Sequence, residues 1–186
     1  MMKPDANIRL KPRSELARLS IIIDTREQAP WFFPEHLAET KRGTLAYGDY
    51  ALEVDGKPDV WCIERKSLPD FIGTVTADWP RFERELGRMP VQPTRVVIVE
   101  GDMRDIRKYV TELLKRQREA GIIDQIIDDK AITDRCFYVM RRIAELTMLG
   151  VSVLFCGDAA LAPVMAYRLF RRRLAFLSNV ADLDVL

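Results

Sequence analysis

The apolar positions of this chain follow two periods. Continuous short runs at Leu19–Ile23, Thr94–Val99 (Arg95 aside) and Val151–Cys156 predict buried strands. Between Gly48 and Asp70, two strand-like runs, Tyr50–Val54 and Val60–Lys66, flank the polar turn Asp55-Gly56-Lys57-Pro58, which is a hairpin signal. Steps of three and four residues predict helices elsewhere. Leu68–Gly73 is opened by Ser67, and Asp78–Met89 carries Trp79, Phe82, Leu86 and Met89, with Asp78 as cap and Pro80 in the first turn. Further helices are expected over Asp105–Ala120, over Thr133–Leu149 (ended by Gly150) and from about Ala159 to Leu177. Residues 35–40 read as one or two helical turns, 122–130 as ambiguous, and 1–18 as a mixed-charge tail. Strands alternating with helices in the second half imply an α/β fold, a central mixed sheet flanked by helices.

Composition bounds this picture. A chain of 186 residues, 48% hydrophobic and 31% charged, suits one domain over 19–186 after the tail. The net charge of +1 gives no global attraction to nucleic acid, so any such surface must be local. Cys62, Cys136 and Cys156 are scattered without a C-x-x-C, which fits a reduced, intracellular protein and no zinc site. With His36 as the single histidine, most His-metal and Ser-His designs are removed. No signal peptide and no apolar run of bilayer length is present, so no membrane association is expected.

The chemistry concentrates in the hairpin. Along its second arm, Cys62, Glu64 and Lys66 point to one side, and Trp61, Ile63 and Arg65 to the other. If the hairpin brings Asp49 near Glu64, two carboxylates and a lysine share one small volume. Hard divalent cations such as Mg²⁺ take oxygen ligands, keep several waters and acidify them. A neighbouring lysine can orient a water or neutralise a phosphate in the transition state. An acid, then an acid two positions before a lysine, is the pattern of the PD-(D/E)xK nucleases. Arg65, on the side of the core, must meet a carboxylate, because a buried unpaired charge is costly; Asp70 is the first candidate.

Each block also has a plainer reading. Gly48-Asp49 is by itself a turn signal, Glu64 and Lys66 a polar strand face, and Asp24-Thr25-Arg26-Glu27 a solvated strand exit. Trp31, Phe32 and Phe33 read as core or dimer contact, His36 as structural, and Cys62 as a small packing residue.

Together, Asp24-Thr25-Arg26-Glu27, Gly48-Asp49-Tyr50 and Glu64-Arg65-Lys66 with Asp70 resemble, in order and spacing, the nuclease domain of the XPF/Hef family of structure-specific DNA endonucleases. The segments 81–86, 96–101 and 150–155 are similar to that family too. The resemblance implies a restriction-endonuclease-like fold and metal-dependent cutting of DNA, branched or flapped, in repair or recombination, in the cytoplasm at the nucleoid or in a nucleus. It implies Mg²⁺ or Mn²⁺ as cofactor, with Asp49 and Glu64 as ligands and Glu27 and Asp24 as further ones. Lys66 would be the catalytic lysine, with Arg65 and Asp70 in support. Arg26 would lie near the phosphate. Arg81, Arg84 and Arg171 are candidates for the DNA backbone, against the alternative that such arginines form solvated helix faces. Family members usually carry a tandem helix-hairpin-helix module, and none is expected in the residues that follow Leu177 here. The grip on DNA would then come from a homodimer or from a separate DNA-binding partner. The rival reading is a non-cutting scaffold of the same fold.

Overall fold

A computed structural model describes residues 18–88 and 95–183. Six strands form one sheet in the order β2-β1-β3-β4-β5-β6. They are β1 (Leu19–Asp24), β2 (Ala38–Gly43), β3 (Tyr50–Val54), β4 (Lys57–Ser67), β5 (Arg95–Glu100) and β6 (Val151–Phe155). The helices are α1 (Leu68–Thr76), α2 (Trp79–Arg88), α3 (Ile106–Glu119), α4 (Asp129–Met148) and α5 (Ala162–Leu183). β3 runs antiparallel to β1 and β4, and the other neighbours are parallel, so the sheet is mixed as expected. No helix among the described residues is long and apolar enough to cross a membrane.

The alternation of β4 sorts the core into two layers. Trp61 and Ile63 face the layer built from Ile21, Tyr50, Leu52 and Ile98, which α5 closes with Ala162, Ala166 and Phe170. On the opposite face, Val97, Val99 and Val151 pack under residues of α1 to α4. Those helices cover the β5–β6 half. Over β1, β3 and β4 on that face lies a small cluster of Ile22, Leu45, Ala51 and Cys62. Its lid is the chain segment of residues 44–48, and the functional side chains emerge beside it.

Sequence and structure part company in a few places. Residues 35–40 are not helical: three turn residues lead into β2, parallel to β1 at the sheet edge, with only Ala38 buried. Part of the ambiguous segment belongs to α4, which starts at Asp129 because the Asp128 side chain accepts the N–H of Ala131 at 2.7 Å. All of the tail but Arg18, and the junction around Met89 and Thr94, lie outside the described residues.

Candidate active site

The site starts from a turn that only glycine makes cheaply. Gly48 has φ +72°, and a Cβ there would stand 2.9 Å from both Cβ and Sγ of Cys62. The chain therefore presses flat onto β4 just before Asp49. The Asp49 N–H donates to the carbonyl of Ile63 at 2.9 Å, and its own carbonyl accepts the N–H of Asp24 at 2.8 Å. Tyr50 pairs with Ile63, so Asp49 continues the ladder opposite Glu64. The two carboxylates thus rise from facing positions on the same side of the sheet, as the sequence led us to expect. Lys66 completes the group, its Nζ 2.9 Å from Glu64 Oε1.

The electrostatics reflect this crowding. Burial, then the charge of Glu64, pushes the Asp49 carboxyl up to about 7, despite the Arg65 N–H that donates to its Oδ2 at 2.7 Å. Its Oδ1 accepts no hydrogen bond from any described residue. Burial works against charge on Lys66, but Glu64, Asp49 and Asp70 outweigh it, and the ammonium is held above the usual lysine range.

Arg65 points to the other face, as alternation requires, and it is paired. Its partner is not Asp70. Nε and Nη2 grip the two oxygens of Glu100 at 2.8 and 3.1 Å, and Nη1 reaches Glu27 at 3.3 Å and the carbonyl of Ala29. Trp31 stacks on Tyr50 with ring centroids 4.4 Å apart and donates its Nε1–H to Glu100 at 2.7 Å. Asp70 instead belongs to the start of α1: Ser67 Oγ donates to it at 2.6 Å and accepts its N–H at 3.2 Å. Glu100 was missed as the partner of Arg65; its one signal was an acid closing a buried strand.

Asp24 is held by four hydrogen bonds. Arg26 holds both its oxygens, at 2.6 and 3.2 Å, and the N–H donors of Arg26 and Leu45 add 2.8 and 2.7 Å bonds. The Arg26 side chain, first among these, holds the Asp24 carboxyl down at about 2. At 1% exposure, with every lone pair directed to a donor, it acts as a clip for the 44–48 segment. Arg26, 69% exposed, also donates to the carbonyl of Leu45 at 3.1 Å and stands in the field of Asp49 and Glu64, at the mouth of the site. Glu27 gives Oε1 to Arg65 and to the Ala29 N–H, and adds its charge to the field at Asp49.

The more distant arginines are divided by the sheet. Arg81 and Arg84 are exposed on α2, which shares the face of Glu64 and Lys66; Arg81 pairs with Asp78 at 3.6 Å. Arg171 is carried by α5 beneath the opposite face, and its neighbour Arg173 is structural, gripping Asp59 at 2.7 and 3.0 Å. Trp31 and Phe33 are core, while Phe32 is 78% exposed. Burial pushes the Cys62 thiol up to about 11, consistent with packing rather than attack.

Among the described residues, no three His, Cys, Asp or Glu side chains already stand at the spacing of a complete ligand set. The donor set nonetheless fits a hard divalent cation. Mg²⁺ is commonly held by one or two carboxylates, with water and phosphate oxygens completing the shell. Asp49 offers an oxygen without a protein donor, in a field negative enough to hold its proton near neutrality. Among the described residues, Glu64 is committed only to Lys66.

A family model described as the ERCC4 domain matches residues 23–164. Among solved structures, XPF from Aeropyrum pernix is similar with a TM-score of 0.52 at 20% identity, over 88% of this chain and 69% of that one. The likeness is one of fold, the restriction-endonuclease-like arrangement of a mixed sheet between helices. No curated protein matches the sequence.

Proposed function

The chain belongs to the ERCC4 domain family, and from that premise we propose that it is a divalent-metal-dependent endonuclease that hydrolyses phosphodiester bonds in DNA. The observation that carries the reading is the facing pair Asp49 and Glu64 with Lys66 beside them, on the half of the sheet that the helices leave uncovered. Mg²⁺ or Mn²⁺ held by Asp49 and Glu64, with Glu27 near, supplies Lewis acidity toward a phosphoryl oxygen.

The chain's own residues do the rest. Lys66, kept protonated by its carboxylate neighbours, offers a fixed positive charge and N–H donors where negative charge grows on the phosphate. The Arg65 N–H holds one oxygen of Asp49, and the other has no hydrogen-bond donor among the described residues. Arg26 adds charge at the entrance, and Arg81 and Arg84 on α2 offer further contacts to the backbone of the DNA. Recognition of branched or flapped DNA belongs to the same proposal, with a second copy of the chain or a separate DNA-binding protein supplying the grip. So does an intracellular setting, at a nucleoid or in a nucleus.

The test is cleavage of labelled flap, fork and linear duplexes with Mg²⁺, with Mn²⁺ and with chelator. Lys66→Ala, Asp49→Ala and Glu64→Ala are each expected to lower cutting by about 10²–10³-fold or more in a folded protein. Undiminished cutting by these variants rejects the assignment, and tight binding of DNA without cutting favours the scaffold reading.

A further inference from the structure

A cavity of about 300 Å³ opens on the catalytic face beside the carboxylates. Leu45, Ala51 and Cys62 form its apolar floor, and Tyr47, Val60 and Arg95 stand around it. We propose that it seats one unpaired nucleobase of the DNA, next to the phosphate held over Asp49 and Glu64. The inference rests on the DNA reading above and says what that site selects: a nucleotide flipped or frayed out of the duplex beside the cut.

Position is the first argument. Cys62 precedes Glu64 by two residues and Ala51 follows Asp49 by two, on the same strand face. Each step is about 6.6 Å, so the cavity adjoins the reactive centre along β3 and β4. A local irregularity makes room for it. From Ala51 to Glu53, β3 advances two residues while β4 advances four, from Cys62 to Pro58, and such bulges redirect strands next to sites.

Chemistry is the second argument. An apolar floor rejects a phosphate but suits the flat face of a base. Unpaired bases are read by stacking on aromatic rings or guanidinium planes and by bonds to their polar edges. Tyr47, 37% exposed, supplies a ring at the wall, and Arg95 a half-buried guanidinium. Asp59, also in the lining, brings no free charge to it, because Arg173 of α5 grips its carboxylate. A base inside a duplex has both faces covered by its neighbours and cannot enter, whereas one beside a junction can.

The experiment measures binding of the full chain to labelled forked DNA by fluorescence anisotropy, with chelator present so that nothing is cut. The DNAs carry one abasic nucleotide at each unpaired position in turn. Loss of one stacked base is expected to weaken wild-type binding about 5- to 150-fold at a single position next to the mapped cut. Tyr47→Ala should be weakened similarly with intact DNA and indifferent to that abasic site. Tyr47→Phe should behave as wild type, and Ala46→Trp, which fills the cavity, should behave as Tyr47→Ala. Uniform binding across the abasic series, or equal abasic losses in wild type and Tyr47→Ala, overturns the cavity assignment alone. Failure to bind any DNA overturns the DNA reading and this inference with it. A position-specific loss in a protein that never cuts supports the cavity while rejecting the nuclease.

Discussion

Replacing Arg65 by Met removes the bidentate grip on Glu100, at 2.8 and 3.1 Å, and the bond to Glu27 at 3.3 Å. Glu100 has a side chain only 8% exposed, so its charge is left with the indole N–H of Trp31 and little water. Breaking a buried pair from one side costs about 3–5 kcal/mol. Arg65 itself is 22% exposed, which places the expected loss at the lower end, about 3 kcal/mol. With a urea m-value of about 2 kcal/mol/M, the midpoint should fall by about 1.5 M; for a domain of this size Tm should fall by about 10 °C. Much of that loss is the stranded carboxylate rather than the missing attraction. Arg65→Met combined with Glu100→Gln should therefore be more stable than the sum of the single losses predicts, by about 1–3 kcal/mol. Urea melts followed by tryptophan fluorescence, for wild type, both single variants and the double variant, measure the cycle. A single-variant loss under about 1 kcal/mol, or coupling under about 0.5 kcal/mol, would refute the claim that Glu100 is what keeps Arg65 in the core.

Further expectations follow from the turn and from the titrating groups. Gly48→Ala sets a side chain at positive φ against Cys62 and should cost about 2 kcal/mol or more, with cleavage falling further than stability because Asp49 is displaced; thermal melts and rates on one substrate compare the two. Asp24 ionises at about 2 in the fold, below its ordinary 3.8. Its contribution to stability is complete above about pH 4 and is lost as pH falls through about 2, so Asp24→Asn should flatten the acid limb of Tm against pH. Asp49 has the opposite sign. Its proton is held to about pH 7 in the fold, so the metal-free protein should lose stability as pH rises from about 4 to about 7. Asp49→Asn should raise Tm at pH 8 in chelator while abolishing cutting, and a lower Tm would contradict the crowding described for this site.

How far the fold could be read from the sequence depended on burial. β1, β5 and β6 are continuous apolar runs because helices or side chains cover both their faces. β2, read as helical turns, was invisible for the same reason reversed: an edge strand with only Ala38 buried shows no alternation. The direction of Arg65 followed from the two-residue period of β4. Its partner did not, because choosing Asp70 relied on nearness in sequence. Parallel pairing of Ser67 with Glu100 puts the Glu100 side chain on the face of Arg65, whereas Asp70 starts a helix on the other face. That register is a tertiary fact. Asp24 shows the same limit: nothing in an acid at the end of a strand announces the donors from Arg26 and Leu45 that make it a loop clip.

The clip has a consequence for divergence. Asp49, Glu64 and Lys66 stand on or at the end of paired strands, while Thr44 to Tyr47, which wall the cavity, sit on a segment tied down by the Asp24 side chain and Arg26. Leu45 is tied through its backbone amide and carbonyl, so the clip is blind to the identities of its neighbours at Ala46 and Tyr47. Under the proposed function, substitutions at those two positions would alter what the cavity accepts while leaving the strands that carry Asp49, Glu64 and Lys66 in place.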